Sequence, residues 1–162
     1  MFFTFTLMDM KSFSAFEFRF RQKDGKKWIF DRFRRKYVVL TPEEWVRQNF
    51  LTWLTTEKAY PVSLLRVESN LMLGKSMWRF DAVFFRKDGR PAVIIECKAP
   101  DVLIGPESFE QIARYNQLLK ADYLMVTNGE RHYCCKMDYH TRSWVFLQDI
   151  PDWKTISESA SD

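Results

Sequence analysis

Four consecutive apolar residues, Ala92-Val93-Ile94-Ile95, run directly into Glu96-Cys97-Lys98, and this junction constrains the fold more than any other stretch. An apolar run without polar alternation reads as a strand covered on both faces, and so as a central one. Paired charges at the end of such a strand are costly and rarely occur there without a purpose. Side chains alternate along a strand, so Glu96 and Lys98 project from the same face. Upstream, Trp78 to Arg86 is a second β-like stretch that carries Asp81 between apolar neighbours and ends at the Asp88-Gly89 turn. Leu64 to Leu73 precedes it. The expectation is a three-stranded antiparallel meander that brings two carboxylates and an ammonium together at one end of a sheet.

The flanking segments read as helices and further strands. In TPEEWVRQNFLTWL, Thr41 suits the N-cap, Pro42 the first helical position and Glu44 the capping-box position three residues after the cap. Val46, Phe50, Trp53 and Leu54 recur at helical spacing, which predicts a helix from Pro42 to Thr56. Pro106 to Lys120 is amphipathic through Phe109, Ile112, Tyr115 and Leu119 and predicts a second helix. Tyr123 to Val126 and His132 to Met137 flank Asn128-Gly129, a strong hairpin signal, and Trp144 to Leu147 suits another strand. Near the start, FEFRFR from Phe16 to Arg21 alternates strictly. With the Asp24-Gly25 turn and a strand around Trp28 to Phe30, it predicts a leading β-hairpin region over 16–39. The whole reads as a single α/β domain over 16–153, with a central mixed sheet flanked by helices. Residues 1–15 form an N-terminal extension, and the small, acidic tail 154–162 is expected to be disordered.

Composition narrows the function classes. The chain has 162 residues, 46% of them hydrophobic and 28% charged, an ordinary globular balance that excludes collagen-like and low-complexity readings. Twenty-five Lys and Arg against 21 Asp and Glu leave a net charge of +4, which favours a polyanionic partner. The three cysteines are Cys97, Cys134 and Cys135, an odd count with two adjacent, which argues against a disulfide scaffold and suits a reducing cytoplasm. His132, Cys134, Cys135 and His140 lack the paired spacing of a zinc site, and Cys135 reads as a core residue. The N-terminus MFFTFTLMDMKSF lacks the basic region and cleavage site of a signal peptide, and no apolar run is long enough to span a membrane.

Asp81 and Glu96, completed by water, form an oxygen-donor set suited to Mg²⁺, and Lys98 would add positive charge beside it; the chemistry such a set serves is phosphodiester hydrolysis. These residues resemble the PD-(D/E)XK nuclease superfamily. More specifically, the blocks TPEEWVRQNF, ECKAP, QIARYN and YLMVTNG, spread over Val38 to Lys136, resemble the N-terminal domain of the type I restriction enzyme R subunit and small proteins built around that domain alone. The resemblance implies a restriction-endonuclease-like core and a Mg²⁺-dependent DNA endonuclease, with Mn²⁺ as a substitute ion. It implies metal binding by Asp81, Glu96 and the backbone carbonyl of Cys97, and a water-directed role for Lys98. It also implies a helix-borne acid at Glu44, with Glu43 as fallback, and a DNA-positioning pair, Gln111 and Tyr115, four residues apart on one helix face. Expected partners are DNA and either a second copy or a restriction-system protein. Two departures stand out: Phe80 replaces the family's proline before the first Asp, and no Gly-rich phosphate loop is present, so ATP-driven translocation is not expected.

Several residues carry two readings. Glu44 also fits the capping box of Thr41, and Gln111 fits one with Ser108 if the second helix starts there. The stretch KKWIFDRFRRKY interleaves Lys26, Lys27, Arg34 and Arg35 with aromatics; it suits phosphate contacts with base stacking, or equally a solvated hairpin with its aromatics turned to the core. Two rival functions remain beside the nuclease: a non-catalytic nucleic-acid-binding or partner subunit that keeps the fold, and a homodimeric interaction protein.

Overall fold

The structure, a computed structural model, describes residues 16–159. The expected extension over 1–15 and residues 160–162 lie outside them. The core is a mixed six-stranded sheet in the order β4 (Leu65–Leu73), β5 (Ser76–Phe85), β6 (Pro91–Cys97), β7 (Tyr123–Thr127), β8 (His132–Asp138), β9 (Ser143–Phe146). β4, β5 and β6 form the expected antiparallel meander. β6 and β7 are parallel, joined through α2 (Pro106–Leu119), and the remaining pairs are antiparallel. The apolar strand β6 is therefore interior, and helices cover both of its faces.

α1 (Pro42–Glu57) begins as its sequence dictates: the Thr41 hydroxyl accepts from the amide of Glu44 at 3.0 Å, and Pro42 opens the first turn. It places Val46, Phe50, Leu51 and Leu54 on one face of the sheet against Ala82, Phe84, Val93, Ile95 and Cys134. On the other face Ile112 of α2 packs with Phe80, Val83, Ile94, Leu124 and Cys135. Cys134 and Cys135 thus enter opposite cores, as strand alternation requires. α2 starts at Pro106 with Gly105 as its cap, so Ser108 is not a cap, and the Ser108–Gln111 capping box is not formed.

Two further expectations are corrected. The leading hairpin is a three-stranded antiparallel sheet, β1 (Phe20–Lys23), β2 (Lys26–Asp31) and β3 (Lys36–Val39). The third strand was hidden behind the basic run before it. It becomes accessible because Asp31 accepts from the amides of Phe33 and Arg34, at 2.8 and 3.0 Å, and Arg35 takes φ +55°, folding a tight turn. The tail is also structured as far as it is described: α3 (Trp153–Glu158) is capped by Asp152, which accepts from the amide of Thr155 at 2.8 Å. Ile156 is fully buried, and Arg86 pairs with Asp122 while bonding the carbonyls of Ser157 and Ser159. One buried isoleucine, a cap and an anchoring guanidinium outweigh the polar composition. Among the described residues, no helix is long and apolar enough to cross a membrane.

His132 belongs to this framework. Its ring stacks on Phe50 and Trp53, with centroids at 5.3 and 5.9 Å, and its Nδ1 lies 2.7 Å from the Thr127 hydroxyl. Burial lowers its pKa to about 4. A lowered histidine pKa means that the unfolded chain binds the proton more tightly. The neutral ring's contribution is therefore complete above the ordinary value near 6.5, and about 3 kcal/mol of it is lost as the pH falls from there to about 4. Urea unfolding across that range should show the decline in the wild type and a flatter profile in His132→Gln; matching profiles would exonerate this ring.

Candidate active site

Asp81 and Glu96 each lie one step beyond the paired residues Ala82 and Ile95, so the two strands deliver them at the same level of the sheet. Asp81 Oδ2 accepts the backbone N–H of Cys97 at 2.7 Å, and Oδ1 accepts from Arg47 Nη2 at 3.0 Å. Lys98 Nζ donates to Glu96 Oε1 at 2.7 Å and to Gln111 Oε1 at 3.3 Å. Gln111 in turn donates to the Tyr115 hydroxyl at 3.3 Å, and the Tyr115 ring is held edge-on by Trp78 and Phe80, at 5.2 and 5.5 Å. Glu96, Lys98, Gln111 and Tyr115 are thus linked by hydrogen bonds from the end of β6 to α2, with Asp81 of β5 held beside them by the Cys97 amide. Phe80, in the position of the family's proline, packs against this tyrosine.

Of the two helix-borne acids, Glu43, the fallback, is the one whose charge acts on this cluster, whereas the first choice, Glu44, turns away from it. Successive helical residues point about 100° apart. Glu44 turns inward, where it accepts from Arg34 at 2.5 Å and Gln48 at 2.7 Å and pairs with Arg47. Glu43 stays half-exposed, 3.3 Å from Arg47, and interacts electrostatically with Asp81 and Lys98. Behind the site lies an ion network. Arg34 joins Asp31, Glu44 and Glu68, while Arg47 joins Glu43, Glu44, Glu68 and Asp81. Arg34 is consequently spent on carboxylates inside the protein, which removes it from the expected phosphate-binding set; Lys26, Lys27 and Arg35 remain exposed. Sequence reading missed Arg47, although its spacing of four from Glu43 and three from Glu44 is the ordinary helical ion-pair signal.

The electrostatics follow from three carboxylates crowding a partly buried corner. Burial and then the charge of Asp81 push the Glu96 pKa up, against the pull of Lys98. The same two causes, in the same order, raise Glu43. Burial favours the neutral amine of Lys98, yet its bond to Glu96 and the charges of Glu96, Asp81 and Glu43 hold its pKa above the ordinary value. A raised carboxyl pKa costs stability above that pKa, and the cost is relieved as pH falls toward the unfolded value. Glu96→Gln should therefore raise the melting temperature in EDTA at neutral pH; a fall would show that the Lys98 pairing outweighs the burial penalty.

Mg²⁺ takes hard oxygen ligands and commonly uses one or two protein carboxylates, with water filling the rest. Asp81 and Glu96 are two such carboxylates, and a cation between them would relieve the repulsion that adds to burial in raising Glu96. Among the described residues no group of three or more His, Cys, Asp or Glu side chains is placed to hold a metal ion. The Cys97 side chain is buried in the core on the α1 side, which leaves only its main chain to serve a metal.

A family model described as Type I restriction enzyme R protein N terminus matches residues 42–151. No curated protein matches the chain. Among solved structures, a fragment ascribed to the HsdR subunit of a type I restriction enzyme from Vibrio vulnificus YJ016 superposes with a TM-score of 0.54 at 18% identity, covering 74% of this chain and 25% of that one. At that identity the likeness speaks for the fold alone, and the chain spans a quarter of that structure's length.

Proposed function

The chain belongs to the family of type I restriction enzyme R protein N-termini, a restriction-system nuclease-type domain, and from that premise we propose that it is a Mg²⁺-dependent DNA endonuclease of restriction-endonuclease-like type. The observation that carries this reading is the hydrogen-bonded convergence of Lys98 with Glu96 and Gln111, next to Asp81. Asp81 and Glu96 would hold the ion, with the Cys97 carbonyl as a main-chain ligand. Such an ion, when bound, lowers the pKa of a coordinated water and stabilises charge developing on phosphate.

The chain's own groups supply the rest. Lys98 is held as an ammonium, so it donates hydrogen bonds and positive charge to the attacking oxygen or the phosphate, and is poorly suited to remove a proton. Gln111 fixes where Nζ points, and Tyr115 fixes Gln111 in turn. Glu43, whose pKa is raised by burial and then by the charge of Asp81, would be the proton acceptor instead. The test is incubation of plasmid and labelled DNA oligonucleotides with Mg²⁺ or Mn²⁺, beside Asp81→Asn. Cleavage that depends on the ion and on Asp81 supports the reading; wild-type protein that leaves every substrate intact sinks it.

One observation favours a second reading, a non-catalytic DNA-binding or partner subunit: both oxygens of Asp81 already have protein donors, Arg47 and the Cys97 amide. DNA affinity indifferent to Mg²⁺ and to Asp81→Asn would select it.

A further inference from the structure

The outer face of the β1–β2–β3 sheet has a composition that folding alone does not require. Ile29 and Asp31 are fully buried on the inner face, and Phe18 and Phe20 pack on Trp45 of α1, at 5.3 and 6.3 Å. The alternate residues form the opposite face: Trp28 lies between Arg21 and Val39, and Phe30 beside Tyr37. Arg19, just ahead of β1, is tied in by its carbonyl, which accepts from the Phe30 amide at 2.8 Å. Three aromatic rings thus lie together on this face. The Arg19 guanidinium sits 4.1 Å from the Phe30 centroid, and that of Arg21 sits 4.1 Å from Tyr37 and 5.5 Å from Trp28. Alternation adds Lys23 and Lys26 to this face, both exposed, whereas Lys27 lies over Phe20 on the inner side. Of the nearby acids, Asp31 at the end of β2 is buried on the inner face, Asp24 sits in the turn between β1 and β2, and Glu17 precedes β1.

We propose that this face is a binding platform for single-stranded DNA, with bases stacked on Trp28, Phe30 and Tyr37 and phosphates held by Arg19, Arg21, Lys23 and Lys26. Rings on an open sheet, interleaved with cations, recognise unpaired bases because every base has a π-face and every linkage a negative charge. A duplex hides its bases and offers this sheet only phosphates. A protein partner is a poor match, because interface cores are depleted in lysine and this face concentrates cations. Each arginine now covers a ring face that a base can take, after which it is free to pair with phosphate. Three rings set a footprint of two to three bases. The platform precedes the family-matched segment 42–151. The proposal rests on the preceding reading only in choosing DNA over RNA.

The test is fluorescence anisotropy of the full chain with labelled oligo-dT, oligo-U and a blunt duplex of equal length. Measuring in EDTA separates strand binding from cleavage, so either can fail alone. The expected order is oligo-dT tightest, with quenching of tryptophan fluorescence on binding. Tyr37→Ala and Trp28→Ala should each weaken oligo-dT about tenfold. The exposed pair Arg19→Gln/Arg21→Gln, which leaves the core intact, should weaken it and flatten its salt dependence. Thermal melts establish that each variant is folded. Duplex bound as tightly as oligo-dT, or folded Arg19→Gln/Arg21→Gln protein with unchanged affinity and salt slope, overturns the platform. Preference for oligo-U overturns the choice of DNA.

Discussion

Lys98→Ala is expected to reduce phosphodiester cleavage by about a thousandfold while leaving the protein folded, since it removes a single charge stabilising the reacting centre and no core volume. Lys98 is one-fifth exposed and reaches Glu96 and Gln111 rather than the apolar cores. Asp81→Asn should cost at least as much activity, because it deletes the central negative charge to which Arg47, Glu43, Glu96 and Lys98 all respond. The two variants separate roles when substrate binding is measured alongside turnover. Lys98→Arg preserves charge but changes the donor geometry, so partial recovery would mark an electrostatic contribution and no recovery a positional one. Single-turnover cleavage at saturating ion is the measurement, and a Lys98→Ala rate equal to wild type would remove the lysine from the mechanism.

Arg47→Met is expected to destabilise the fold by about 3 to 5 kcal/mol, the usual result of removing one partner from a buried ionic group. Its guanidinium is only 3% exposed and touches Glu43, Glu44, Glu68 and Asp81. Methionine fills much of the space and leaves those acids facing one another, compensated by Arg34, Arg79 and Lys98. For a chain of this size the corresponding drop in melting temperature is roughly 10 °C or more. Arg47→Lys should lie between, because one ammonium cannot reach all four acids. Urea unfolding gives the number, and a loss below about 1 kcal/mol would mean that the network is effectively solvated.

Much of this was legible from residue order. The meander, both long helices and the shared level of Asp81 and Glu96 follow from local periodicity, turn residues and strand alternation, all short-range signals. Glu43 versus Glu44 was not, because Thr41 caps the helix in either case and the choice depends on where Arg34 and Arg47 arrive from other segments. Arg34 looked like a surface cation in a basic run, yet its three acids come from the preceding strand, α1 and β4. The final helix was obscured because TISESASD offers a single large apolar residue, Ile156, and the anchor that secures it, Arg86, lies on another part of the chain. Where pairing partners are distant in sequence, composition reports a tendency and tertiary contacts decide.

The parallel pairing of β6 with β7 has a consequence for biosynthesis. The Lys98 amide is fixed by the Thr127 carbonyl at 2.8 Å, and Lys98 Nζ by Gln111, while Asp81 leans on a helix that begins at Pro42. A nascent chain leaving the ribosome therefore carries no organised centre until the residues through Thr127 have emerged and closed on the earlier strands. Translation products that stop short of Thr127 would lack this arrangement of side chains altogether.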